Sequence, residues 1–177
     1  TIVDGNGRQP LEACLSAVAA QQGVAFETVL VDNGSTDGSV EFVRDRFPWV
    51  RLVTLPENRG FAGGNNAGVR EARGEYVALL NNDTIPEPGW LAALVAAAEA
   101  AGDDVGAVAS RMVFADEPGR INSAGIAVDP TGIAWDWLGG APFASGDAPA
   151  EIFGASAGAC LYRRAALVVL PSRSEGF

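Results

Sequence analysis

The chain has 177 residues, 48% hydrophobic and 19% charged, with a net charge of −10 at pH 7; this suits one globular domain with a sizeable core and disfavours nucleic acid as a partner. Histidine is absent and all twelve basic residues are Arg. Ser-His-Asp and Cys-His nucleophile systems, zinc-histidine sites, Schiff-base lysines and P-loop lysines are thereby excluded, which leaves carboxylates, amides, hydroxyls, Arg, backbone N–H groups or a bound ion to carry chemistry.

In chain order, apolar runs typical of buried strands alternate with segments of helical period, the pattern of βαβ units around a mostly parallel sheet. Thr1 to Val3 reads as the end of a strand, and Leu11, Cys14, Leu15 and Val18 place a helix after Pro10 that ends near Gly23. A strand is expected at Phe26 to Val31, a helix at Ser39 to Phe47 and a strand at Val50 to Leu55. The loop Pro56 to Gly64 leads into a helix that Gly74 stops. A strand follows at Glu75 to Leu80, then a helix from Gly89 to Ala101 and a strand at Val105 to Val113. Asp116 to Ala150 is rich in Gly, Pro and Asp and reads as loops and short strands, including Trp135 and Trp137. A strand at Gly158 to Tyr162 and a helix from Arg164 close the pattern.

Cys14 and Cys160 have no C-x-x-C spacing and read as small buried residues in a reduced, cytoplasmic setting. No secretory leader is visible, and Leu91 to Ala101 is much shorter than the ~20 residues of a bilayer span, so a soluble chain is expected.

Ligands of open parallel sheets bind beyond the carboxyl ends of the strands, and three polar loops follow predicted strands here: Asp32 to Gly38, Asn58 to Asn66 and Asn81 to Thr84. In the first, Asp32 accepts hydrogen bonds from a base or ribose and Gly34 admits a close backbone; the run also reads as an Asx turn into a helix. The second is too glycine-rich to start a helix on propensity, and its N–H groups with Arg59 suit a phosphate, although a flexible surface loop fits equally. The third sets Asp83 beside Asn81 and Asn82, a donor set for Mg²⁺ or Mn²⁺ completed by substrate phosphates, or a turn before Pro86.

The stretches Leu11 to Ser16, Val31 to Ser39, Asn58 to Gly68, Leu79 to Pro86 and Pro88 to Leu91 strongly resemble family 2 glycosyltransferases, most closely the bacterial rhamnosyltransferase-like branch. The likeness covers residues 1–115 closely and Gly154 to Arg164 more loosely. It implies an α/β, Rossmann-like GT-A fold with a donor-binding part over residues 1–115 and an acceptor-side part over 116–177 in one continuous domain. It further implies a nucleotide-diphosphate sugar donor of dTDP-rhamnose or UDP-sugar type, and inversion at the anomeric carbon. The implied acceptor is a carbohydrate or lipid-linked molecule of cell-wall polysaccharide synthesis, in the cytoplasm or, through peripheral association, at the inner face of the membrane.

Carried over by position, Asp32 contacts a pyrimidine base, and Asn33, Gly34 and Ser35 form the turn around it. Arg59, Gly60, Asn65, Asn66 and Asn82 line the nucleotide, and Asn81-Asn82-Asp83 replaces the D-x-D motif with Asp83 as the metal carboxylate and Asn81 as an auxiliary ligand. Asp37 is assigned to a helix start. Relatives carry an aromatic residue near Gly5, where this chain reads Asp4-Gly5-Asn6-Gly7. Ser174 to Phe177 resembles the approach to the family's Glu-Asp general-base pair, so the base is expected beyond Phe177, with Glu175 as a weak substitute and Asp136 or Asp147 as alternatives. Two other functions stand beside transfer: a nucleotide-sugar-binding module without turnover, and a sugar nucleotidyltransferase built on Gly5 to Arg8, which the absence of lysine disfavours.

Overall fold

The computed structural model describes residues 1–144 and 150–167. Its elements are β1 (Ile2–Asp4), α1 (Arg8–Ala19), β2 (Val29–Asp32), α2 (Ser39–Arg46), β3 (Arg51–Thr54), α3 (Gly60–Glu71), β4 (Tyr76–Asn81), α4 (Trp90–Ala101), β5 (Ala107–Ala109), β6 (Met112–Val113), β7 (Ile121–Ser123), β8 (Ile126–Val128), β9 (Ala134–Asp136) and β10 (Ala159–Arg163), followed by a single 3-10 turn at Arg164–Ala166. Six strands form the main sheet in the order β3-β2-β1-β4-β10-β5. Strands β1 to β4 are parallel, and β10 runs antiparallel between β4 and β5.

Side-chain alternation decides what each face holds. Ile2, Leu30 and Leu80 lie in register across β1, β2 and β4 and pack with Leu11, Cys14, Leu15 and Val18 of α1 and Val43 of α2. The i, i+3, i+4, i+7 spacing of the α1 residues puts all four on one stripe, where they are buried. Leu94 and Ala98 of α4 cover Leu161 on the same side, whereas Val69 of α3 packs with Val77, Leu79 and Cys160 on the other. The chain thus runs outward from β1 to β2 and β3 on one face and returns through α3 on the opposite face to β4. The strand order reverses between β1 and β4, which opens a crevice at their carboxyl ends.

Several elements differ from their sequence-based bounds. Helix α1 starts at Arg8, ahead of Pro10, because a proline in the first turn forfeits no intrahelical hydrogen bond; its first is donated by the Leu11 N–H to the Gly7 carbonyl. The strand expected from Phe26 begins at Val29: its partners start at Ile2 and Arg51, so residues 26–28 overrun them. The run Val105 to Val113 divides at Ser110, whose N–H makes its bond to the Ala159 carbonyl while Trp90 Nε1 donates to its hydroxyl at 2.8 Å. Beyond it, β6 pairs with β7 and β8 with β9 in two small antiparallel sheets. The helix expected from Arg164 is one 3-10 turn as far as it is described. Among the described residues, no helix is long and apolar enough to cross a membrane.

Helix α3 starts at Gly60, inside the expected loop, despite glycines at 63, 64 and 68 that cost about 1 kcal/mol each in propensity. Close approach to β1 explains Gly64, where a Cβ would sit 2.6 Å from Val3 Cγ1 and 3.3 Å from Cγ2. Valine is stiff at χ1 and cannot swing aside, so overpacking outweighs the helix gain. Gly64→Ala is expected to lower stability by about 1 to 2 kcal/mol in urea denaturation. Gly119→Ala, where a Cβ meets nothing within 4 Å, should leave the midpoint nearly unchanged.

Candidate active site at the carboxyl edge

Because β1, β2, β3 and β4 are parallel, the loops after Asp32, Thr54 and Asn81 emerge at one edge of the sheet. Asp32 and Asn81 stand two strand spacings apart, about 10 Å, with the end of β1 between them. That end is Asp4, which pairs in register with Asp32. Both carboxylates are buried, Asp4 to 1% and Asp32 to 4% exposure, so the sheet edge holds two like charges on neighbouring strands.

Hydrogen-bond donors from the surrounding loops offset that repulsion. Ser35 serves both carboxylates: its N–H donates to Asp32 Oδ1 at 3.3 Å and its hydroxyl to Asp4 Oδ2 at 3.3 Å. Asn82 Nδ2 donates to Asp4 Oδ1 at 2.6 Å. Asp32 Oδ2 has no hydrogen-bond partner among the described residues, which leaves it as an acceptor at the strand end. Asp37 accepts bonds from the Ser39 hydroxyl and N–H and from the Arg8 N–H at the start of α2, and the Ser39 hydroxyl above all holds its carboxyl below the usual range.

Asn33 joins the first loop to the second. Its Nδ2 donates to Asn58 Oδ1 at 3.0 Å and to the Gly60 carbonyl at 3.1 Å, and its Oδ1 accepts the Arg59 N–H at 2.9 Å. Gly34, with φ +78°, lies so close that a Cβ would be 2.9 Å from the Asn58 nitrogen. The backbone of the loop after β3 therefore demands glycine there. At the head of α3 the Gly60 N–H is taken by Asn58 Oδ1 at 2.8 Å, while Arg59 extends its guanidinium to solvent. Asn66 is exposed; Asn65 is buried and donates to the Phe61 carbonyl one turn back, so its amide serves the helix.

In the third loop, Asn81 bonds through its main chain: the N–H to the Gly158 carbonyl, and the carbonyl to the Thr84 hydroxyl and the Cys14 thiol. Burial, with Asp83 nearby, pushes that thiol up to about 12. Asp83 is exposed at the turn. Among the described residues, no group of three or more His, Cys, Asp or Glu is placed to hold a metal. Asp83, with Asn81 beside it, fits a cation such as Mg²⁺ or Mn²⁺ only where water and ligand oxygens complete the shell.

Asp4, Asn6 and Asn58 belong to this network; the sequence points to Asn58 only as the start of the second loop and gives Asp4 and Asn6 no role in the site. Asn6, with φ +62°, accepts the Thr36 N–H through Oδ1 at 2.8 Å. A charged residue closing the apolar run Ile2-Val3 was the available signal. Asp136 is exposed on β9; Asp147 and Glu175 lie outside the described residues. A cavity of about 250 Å³ lies at the opposite edge, beside Val24 to Glu27 and Gly74 to Ala78 at the amino ends of the strands, and touches none of these groups.

The model of the family described as "Glycosyl transferase family 2" matches residues 5–170. The chain belongs to that family. This family 2 chain is 36% identical over 103 residues to the succinoglycan biosynthesis protein ExoO of Rhizobium meliloti, covering 56% of the chain and 29% of that protein. It is 35% identical over 112 residues to the O-antigen biosynthesis protein RfbC of Myxococcus xanthus, covering 62% of the chain and 8% of that protein. The chain thus spans less than a third of either relative. Its architecture is the GT-A fold. A mannosyltransferase from Pyrobaculum calidifontis in complex with GDP-Man and Mn²⁺ superposes with TM-score 0.61 at 23% identity, covering 93% of the chain and 43% of that structure. S. aureus TarS 1-349 in complex with UDP gives TM-score 0.56 at 22% identity, covering 63% of the chain and 34% of that structure.

The Asn33 cross-links make a prediction independent of any ligand. Asn33→Ala removes three hydrogen bonds between the first two loops and should cost about 1 to 3 kcal/mol, with faster amide hydrogen exchange at Arg59, whose N–H Asn33 Oδ1 accepts. Exchange unchanged at the Arg59 amide would contradict the assignment.

Proposed function

We propose that this edge binds the donor of a glycosyl transfer, a nucleotide-diphosphate sugar of dTDP-rhamnose or UDP-sugar type, in a bacterial polysaccharide pathway. The observation that carries the reading is the convergence of Asp32, Ser35, Asn82 and Asp83 on one sheet edge around the reversal in strand order. Asp32 Oδ2 takes the imide N–H of a pyrimidine base, and Asn33 to Ser35 frame the base. The ribose and diphosphate cross the end of β1 toward Asn82 and Asp83, with Arg59 on the rim.

Charge supports the metal. An edge with Asp4 and Asp32 buried and Asp83 exposed, on a chain of net charge −10, repels a diphosphate unless a cation intervenes. Asp83, with Asn81, would hold a divalent ion there, and the ion would supply charge neutralisation to a departing diphosphate. Inversion requires the acceptor hydroxyl to attack opposite the leaving diphosphate, after a general base takes its proton. The acceptor, carbohydrate or lipid-linked, approaches past residues 110–144, which leave the sheet at the carboxyl end of β5, and residues 150–158, which lead into β10 beside Asn81.

Calorimetry with UDP, with and without Mn²⁺, tests the reading. Wild type should bind UDP more tightly with Mn²⁺, Asp83→Ala should lose that gain, and Asp32→Ala should weaken UDP about ten- to a hundredfold, as expected for losing a bond to a charged group. Metal affinity indifferent to nucleotide, or an Asp32→Ala variant binding like wild type, would overturn it.

A further inference from the structure

Asp4 stands at the centre of this edge and contacts neither base nor metal in the proposed function. Its carboxylate is sealed by Asn82 on one oxygen and Ser35 on the other, and its carbonyl accepts the Asn33 N–H at 2.7 Å. The start of α1 closes over it: a Cβ at Gly7 would fall 2.2 Å from Asn82 Nδ2 and 2.6 Å from Asp4 Oδ1. The Asn82–Asp4 contact thus occupies the space that a side chain at position 7 would need, so only glycine there is compatible with it.

A primary amide has a donor end and an acceptor end, whereas a carboxylate only accepts. Asp4 therefore holds Nδ2 of Asn82 and turns its Oδ1 away, where that oxygen has no hydrogen-bond partner among the described residues. We infer that Asp4 is a positioning residue: by fixing the polarity of the Asn82 amide it presents Oδ1, beside Asp83, as the acceptor for an O–H group of the bound donor. Two O–H groups have this chemistry, a ribose hydroxyl and a cation-bound water. Through Ser35, the same carboxylate holds the base-side loop at a fixed distance from the diphosphate side.

The inference rests on the donor reading of this edge, and a carboxylate–amide exchange separates the two. In Asp4→Asn the partner of Asn82 can both donate and accept, so the Asn82 amide can reverse. UDP affinity should fall about three- to tenfold, the equivalent of one hydrogen bond. Asn82→Asp sets two carboxylates against each other and should also weaken binding. In the double variant the amide introduced at position 4 donates to the carboxylate introduced at position 82, which again turns an acceptor oxygen outward, and UDP affinity should return to within about twofold of wild type.

Binding is measured by calorimetry well below the lowest melting temperature, so that every variant is folded, with and without Mn²⁺. A loss confined to the Mn²⁺ arm identifies cation-bound water as the O–H group, and a loss in both arms identifies the ribose. Should Asp4→Asn fail to fold, the double variant measured against Asn82→Asp makes the same comparison. An Asp4→Asn protein that binds UDP as wild type does, or a double variant that melts like wild type yet binds no better than the single ones, overturns the role. A wild type that binds no UDP in either arm removes the donor reading, and this inference with it.

Discussion

Asp4 and Asp32 end adjacent parallel strands as a register pair, both buried and without an Arg ion pair among the described residues. Two carboxylates in that position are tolerable only when donors surround them. The loops after β2 and β4 supply those donors through Ser35 and Asn82, and Asn33 then fastens the loop after β3. The geometry of the whole edge follows from satisfying this pair of charges. Removing one donor leaves a buried carboxylate short of a partner, a larger penalty than the hydrogen bond itself is worth.

The strand order determines where that pair can be exploited. Helices α1 and α2 lie on one face and α3 on the other, so no helix covers the ends of β1 and β4 from both sides. Glycine makes the arrangement tight. Gly64 brings α3 against Val3, Gly7 brings α1 against Asn82, and Gly34 brings the first loop against the second, each where a Cβ would lie under 3.0 Å from a neighbour. These positions look like flexibility in the sequence and act as close contacts in the fold.

Much of this is legible in the sequence. Alternating apolar runs locate β1 to β4, and the polar loops that follow them fall on one edge because parallel strands leave no other arrangement. Propensity misplaced the start of α3, since packing on β1 outweighs the cost of its glycines. Asp4 is marked in the sequence only as an acidic residue closing a short apolar run, which carries no periodic signal, and its register with Asp32 is what shows its place at the buried edge. Asn65 and Asn66 are adjacent in the sequence and cannot be told apart there, yet the helix turns one inward and the other to solvent. The division at Ser110 depends on β10, a strand about fifty residues later, and so lay beyond any local reading.

Paramagnetic broadening of backbone amide signals by Mn²⁺ in the presence of UDP probes the central claim most directly, because it maps the ligand onto the sheet without presuming turnover. Strand β4 spans six residues, about 20 Å, between the two edges, so the edges are well separated. Broadening should concentrate at residues 4–7, 33–35 and 81–84 and appear only when both Mn²⁺ and UDP are present. Broadening centred on residues 24–28 and 74–78 at the opposite edge, or the same pattern with Mn²⁺ alone, would contradict a donor site built on Asp4, Asp32 and Asp83.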